Sequence, residues 1–328
     1  MCTAITLRSF QGAAYLGRTM DFSYPLAPHM YFVPEDCRWN NAVTGGELQN
    51  PYSFIGIGQE LDGMLGFFDG VNEHGFAAAA LYFAGSARYD DTAENSPAAQ
   101  VASYDVLRYL LGHCASVEDL CGQMEHTYIV GMADPLTGTV APLHWIAADR
   151  TGSCAVLEQT ARGAELLNNP IGVLANSPDF LGQMTNLRGY AEVSPRQREN
   201  AVWGGAELTP FGQGGGTSPL PGGFSSPERF VRASYLKTHI PTPESHMAAV
   251  TSFFQVMKNV SVPRGAVVTA RGTDDYTQYT ALMSLQTGEY FISTYENPQI
   301  KKAAFPASAS RQVTDLGALA GKMIPEPL

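Results

Sequence analysis

The sequence predicts an α+β fold whose sheets collect strands from both ends of the chain, and three observations carry that expectation. Strand-like runs crowd the first quarter, helical patterns bunch in the middle, and strands return near the end. The regular strand–helix alternation of a parallel sheet is missing. With 45% hydrophobic and 16% charged residues among 328, the chain holds enough apolar side chain for a sizeable core and is not a disordered composition.

The elements follow in chain order. Residues 2–7, 14–18, 30–33, 53–57 and 75–81 read as strands, each a β-type run bounded by turn signals. Residues 103–111 read as a helix, with Val106, Leu107, Leu110 and Leu111 at helical spacing. Ser116 stands three residues before Asp119, a capping-box-like start for a second short helix. Strands at 143–148 and 153–158 flank Asp149-Arg150-Thr151-Gly152, a hairpin-like turn. Another strand is expected at 172–175. Residues 211–228 have the composition of a linker. Strands on either side must share sheets, however, so the segment is expected to be a long loop inside one domain spanning 1–328. Helices at 229–239 and 246–258 follow, the second with Met247, Val250, Phe254 and Met257 on one face. Strands at 266–270, 276–285 and 289–295 complete the series, the last two joined around Thr287-Gly288.

Composition narrows the function. Twenty Lys and Arg against 31 Asp and Glu give a net charge of −11. That balance disfavours nucleic acid and anionic membrane surfaces, whose binding depends on cationic side chains. The first residues lack the basic and apolar regions of a secretory signal, and the longest apolar stretch, 75–85, is about half a membrane span. Five cysteines are an odd number with no CxxC pair, which argues against a disulfide framework or a zinc site. A cytoplasmic protein is expected.

Cys2 stands apart from the other cysteines by its position. Removal of Met1 leaves a free α-amino group on the residue that carries the thiol. The amine titrates near 7.7–8.0 and the thiol near 8.5, so nucleophile and base can share one residue. On position alone Cys2 has two readings, this one and the start of an edge strand. Gly17-Arg18-Thr19-Met20-Asp21-Phe22, just after a strand, adds a guanidinium that can stabilise a thiolate and a carboxylate that can orient the ammonium. The alternative for that pair is a surface ion pair. Of seven histidines only His144 lies in a strongly apolar context, and it reads as a satisfied core residue. No HExxH, GxSxG or Walker-type loop is present.

These residues also occur in a recurring order. Met1-Cys2-Thr3, the segment 17–22, Asn72-Glu73-His74-Gly75, Pro142-Leu143-His144-Trp145, Asn176-Ser177-Pro178, Leu220-Pro221-Gly222-Gly223 with Arg229-Phe230-Val231-Arg232, and Tyr276-Thr277-Gln278-Tyr279-Thr280 appear in turn. Together they resemble the choloylglycine hydrolase family, which holds bile salt hydrolases and penicillin V acylases. The resemblance implies the fold of N-terminal nucleophile hydrolases, a four-layer αββα sandwich of two antiparallel sheets between helical layers. It also implies a homotetramer without metal or cofactor.

Carried over, the resemblance makes Cys2 the nucleophile and its amine the base. Arg18 would support the thiolate, Asp21 would hold the amine, Asn176 would contribute to the oxyanion hole, and Arg229 would complete the charged set. Bile salt hydrolases typically have asparagine where this chain has Tyr82, a tyrosine that resembles Gram-positive-type penicillin V acylases. The oxyanion contact from that segment is then expected from a backbone N–H, and the ring is expected to narrow the acyl pocket. Met20, Tyr24 and Leu143 match substrate-pocket positions. Hydrolysis of a linear amide follows, with penicillin V as the first substrate expected. Conjugated bile salts and N-acyl homoserine lactones are alternatives in the same chemistry. An inactive binder of anionic amphiphiles is the alternative outside it.

Overall fold

The computed structural model describes residues 1–92, 98–135, 137–307, 310–319 and 321. Two antiparallel sheets dominate it. The six-stranded sheet runs in the order Val173–Leu174, Cys2–Arg8 (β1), Ala14–Phe22 (β2), Tyr276–Ser284, Tyr290–Thr294 and Lys301–Ala303. The eight-stranded sheet runs Gly163–Asn168, Cys154–Thr160, Leu143–Ala148, Ala77–Tyr82, Met64–Asn72, Phe54–Leu61, His29–Val33 and Thr314–Ala318. Both sheets therefore join strands from the two ends of the chain, as the order of patterns required.

Among the described residues five α-helices flank the sheets: α1 (Val106–His113), α2 (Val117–Met124), α3 (Phe180–Leu187), α4 (Ser226–His239) and α5 (His246–Lys258). Helices α4 and α5 cover the outer face of the six-stranded sheet, and α1 covers the eight-stranded one. That is the αββα layering. One core cluster joins the inward faces of both sheets to α4 and α5; a second fills the space between the eight-stranded sheet and α1. Gly17 shows how tight the helical layer is. A Cβ there would lie 2.4 Å from the Phe253 ring of α5.

Several expectations are corrected. The strand expected at 14–18 continues to Phe22, because it pairs on both sides, with β1 and with Tyr276–Ser284. Thr19, Met20 and Asp21 are thus strand residues, not a loop after one. Helix α4 begins three residues early, at Ser226, where Ser225 and Glu228 form a capping box. Residues 266–270 form no strand; only the bridge Val268–Asp274 is made, since no neighbouring strand offers a ladder. Met64–Asn72 and α3 were not expected. Among the described residues no helix is long and apolar enough to cross a membrane.

Candidate active site

Strand alternation builds the site. In the β1–β2 pair Cys2 lies opposite Met20, Thr3 opposite Thr19, and Ala4 opposite Arg18. Side chains directly opposed in a sheet share a face. Cys2, Met20 and Arg18 therefore point between the two sheets, while Thr3, Thr19 and Asp21 point towards α4. The start of β1 carries the Cys2 nitrogen between these two sets.

On the inter-sheet face Arg18 Nη2 donates to Cys2 Sγ at 2.6 Å, and Met20 Sδ lies 4.0 Å from the sulfur. The guanidinium is held from its other positions. Nε donates to Thr19 O at 3.0 Å and Nη1 to Phe68 O at 3.1 Å. Burial disfavours the charge on Arg18, but the Cys2 sulfur, Tyr279, Asp69 and Asp21 around it raise its pKa above the usual range. This cation is poised to favour a thiolate.

On the helix face Asp21 accepts from Thr277 Oγ1 at 2.5 Å and from Thr19 Oγ1 at 3.2 Å. Arg229, in the first turn of α4, lies 3.7 Å from Asp21 Oδ2. Burial pushes the Asp21 carboxyl up, and Arg229 is the largest influence holding it down. Arg229 Nη1 donates to Cys2 O at 2.5 Å and to Thr3 Oγ1, and Nη2 donates to Asn176 Oδ1 at 2.6 Å. The same Asn176 oxygen accepts from Cys2 N at 2.7 Å. Met1 is present, so that nitrogen is a peptide N–H. The Met1 amine itself donates to Asp21 O at 2.6 Å and pairs with Asp275 at 3.2 Å.

Cys2, Arg18, Asp21, Asn176 and Arg229 therefore form one connected, buried cluster. Asn176 is fixed further by Gln183, whose Nε2 donates to Asn176 O at 3.0 Å. Its own Nδ2 donates to Tyr82 O at 2.6 Å. Through that contact the Tyr82 segment meets the site by a main-chain carbonyl. The ring is 40% exposed. Along Ala77–Tyr82 the residues Ala77, Ala79 and Leu81 pack between the sheets with Cys2, whereas Ala78 and Ala80 face the α1 side. Tyr82 falls on the second face, opposite Leu143 in register. Tyr24 lies outside the cluster, with Arg271 stacked on its ring at 4.2 Å.

His144 is a satisfied interior residue. Its ring nitrogens lie 3.0 Å from Glu158 Oε1 and 2.8 Å from Ala175 O, which leaves neither free for proton transfer. Thr277, Thr19, Gln183 and Asp275 were missed as site residues. Thr277 and Thr19 had a signal, because they lie in the ordered segments 276–280 and 17–22 with no role attached. Among the described residues no group of three or more His, Cys, Asp or Glu is arranged to hold a metal ion.

Comparison with known proteins agrees with this geometry. Bile salt hydrolase/transferase of Clostridium perfringens is 32% identical over 92% of this chain and 91% of its own. Conjugated bile acid hydrolase of Lactobacillus gasseri is 32% identical over 90% and 93%. Penicillin V acylase of Pectobacterium atrosepticum is 26% identical over 92% and 81%. A crystal structure of conjugated bile acid hydrolase from Clostridium perfringens superposes with a TM-score of 0.92 at 30% identity, covering 99% of both chains. Penicillin V acylase from Agrobacterium tumefaciens shares the fold, with a TM-score of 0.76 at 21% identity over 97% and 92%. The model of the linear amide C–N hydrolases, choloylglycine hydrolase family, matches residues 2–309. The chain is a hydrolase of linear amide bonds and belongs to the choloylglycine hydrolase family.

Proposed function

We propose that this enzyme hydrolyses the amide of glycine- or taurine-conjugated bile salts, with Cys2 as nucleophile once Met1 is removed. The catalytic half of the proposal rests on one observation, the Arg18 guanidinium 2.6 Å from Cys2 Sγ within a closed set of charged partners. The freed α-amine takes the thiol proton, and the sulfur attacks the amide carbonyl carbon. The carbonyl oxygen becomes an oxyanion, facing the Asn176 amide hydrogen that Tyr82 O does not use. A preorganised donor of this kind is commonly worth about 10²–10³ in rate. Collapse breaks the C–N bond, and the α-ammonium returns its proton to the departing amine. Water then attacks the thioester while the α-amine of Cys2 takes one of its protons, and the α-ammonium returns that proton to the sulfur as the C–S bond breaks, releasing the carboxylic acid and the thiol.

Asp21 and Arg229 position the terminus in this scheme. Arg229 holds the Cys2 carbonyl oxygen, and Asp21 lies where it can balance the ammonium form.

The substrate half rests on the relatives above the 30% identity level, which are named for bile salts, and on the Tyr82 ring. Phenoxyacetyl preference required that ring to fill the acyl site. Its place on the outer face, half exposed, leaves the inter-sheet face beside Cys2 to other side chains. The test is kcat/KM for glycocholate, taurocholate and penicillin V in parallel. Bile salt conjugates are expected to exceed penicillin V. The reverse order would return the penicillin reading to first place.

A further inference from the structure

Asp69 has no part in the scheme above, yet it stands directly behind the nucleophile's cation. It belongs to Met64–Asn72 of the eight-stranded sheet, while the groups around its carboxylate come from the other sheet. Arg18 Nη1 lies 3.7 Å from Oδ2. Tyr279 OH donates to Oδ2 at 2.6 Å, and Tyr290 OH donates to Oδ1 at 3.0 Å. Arg18, Asp69, Tyr279 and Tyr290 are all fully buried or within 1% of it.

Such a cluster is a poor way to stabilise a fold. Apolar groups of similar volume in place of a buried ion pair are often neutral or stabilising. Its geometry is specific instead. The guanidinium is planar and rigid, so what holds Nη1 also sets the direction of Nη2. Nη1 is held from the opposite sheet by Phe68 O and the Asp69 carboxylate, and Nη2 then meets Cys2 Sγ. Charge gives a second reason. Arg18 and Arg229 are balanced by Asp21 and Asp69, so the cluster is close to neutral before Cys2 is counted.

We propose that Asp69 is a positioning residue for the nucleophile: clasped by Tyr279 and Tyr290, its carboxylate holds Arg18 from behind, shares the cation with the Cys2 sulfur and so tempers the charge that the thiol meets. Without it, Arg18 would hold the sulfur as a tightly paired thiolate, stable to lower pH and slower to attack. Arg18, Tyr279 and Tyr290 are the groups that face the carboxylate; Arg18 faces the sulfur, with Met20 Sδ and Asp21 O beside it. Burial pushes the Asp69 carboxyl up while Arg18 and the two hydroxyls oppose this. Both tyrosines are pushed well above their usual range by burial and stay neutral donors.

This inference rests on Cys2 being the nucleophile, so its test is separated from turnover. The rate of Cys2 alkylation by iodoacetamide is followed against pH, by the mass of the N-terminal peptide of the mature protein. Absence of Cys2 alkylation in the wild type would count against the nucleophile itself. In Asp69→Asn the thiolate limb is expected about one pH unit lower than in wild type, and kcat about tenfold lower with KM little changed. Tyr290→Phe leaves the carboxylate less stabilised, so its limb should move the same way by less. A merely structural role would reduce the fraction that reacts without moving the midpoint. A limb that stays in place or moves up in Asp69→Asn overturns the proposal. Should that variant not fold, the same outcome in Tyr290→Phe decides it.

Discussion

Arg229 Nη2 and Cys2 N meet on a single oxygen, Asn176 Oδ1, at 2.6 and 2.7 Å. One side chain thus joins the strand that carries Cys2 to the helix that carries Arg229. The link spans 227 residues of sequence. It also explains why a cation is placed where burial lowers its pKa, opposed by Asp21 and Cys2.

Arg229→Ala should be strongly destabilising. It strands the Asp21 carboxylate in the interior and removes donors from Cys2 O, Thr3 Oγ1 and Asn176 Oδ1. Breaking a buried pair in this way costs about 3–5 kcal/mol. Arg229→Lys keeps a charge but cannot fork to three acceptors, so it should retain the fold and lose about tenfold or more in kcat. Urea unfolding and steady-state kinetics on both variants measure this. A stable, fully active Arg229→Ala would remove Arg229 from the site.

Tyr82 contacts the site through its carbonyl, so changing its side chain should matter little. In Tyr82→Asn the ratio of kcat/KM for glycocholate to that for penicillin V should stay within about twofold of wild type, less than the roughly 0.5–1.5 kcal/mol an aromatic pair contributes. A tenfold change in that ratio would place the ring in the acyl site.

Asp105 supplies a pH dependence of stability away from the chemistry. It precedes α1, and burial raises its carboxyl from 3.8 to about 7, opposed by Arg108. The native state therefore holds a proton between about pH 4 and pH 7 that the unfolded chain has lost. Stability from this group is present below pH 4 and declines as pH rises towards 7, by at most about 1.4 kcal/mol per unit. Asp105→Asn carries no such proton. Its melting temperature should gain on wild type as pH goes from 5 to 8, and a constant difference between the two would contradict the assignment.

How much of this was legible in the sequence depended on distance along the chain. Cys2, Arg18 and Asp21 lie in a local pair of strands, so short-range pattern was enough to bring them together. Asn176 and Arg229 came only through the family resemblance, because they meet each other and Cys2 only when α4 packs on β1. Asp69 was hidden for a related reason. Its strand reads Met-Leu-Gly-Phe-Phe-Asp-Gly-Val-Asn, and the glycines break the alternation that marks a strand. Gly70 lets α1 pack close, since a Cβ there would come 2.3 Å from Leu111 Cδ1 and displace it. Helix α3 was missed because Phe-Leu-Gly-Gln-Met-Thr-Asn-Leu is a weak helix former. Its one signal was Asp179, whose side chain caps Gly182 N at 2.9 Å. Residues 266–270 failed in the other direction: Val267, Val268 and Thr269 have strand propensity but no partner strand.

The most direct test of Cys2 as nucleophile is the turnover number of Cys2→Ala beside wild type whose intact mass shows Met1 removed. Cys2 is a small side chain at the start of an edge of the site, so the variant should fold and melt close to wild type. Its turnover of glycocholate, or of whichever amide the wild type cleaves best, should fall by at least about 10³-fold, as expected when the attacking group is removed. Turnover within about tenfold of wild type, in protein free of wild-type contamination, would contradict the assignment.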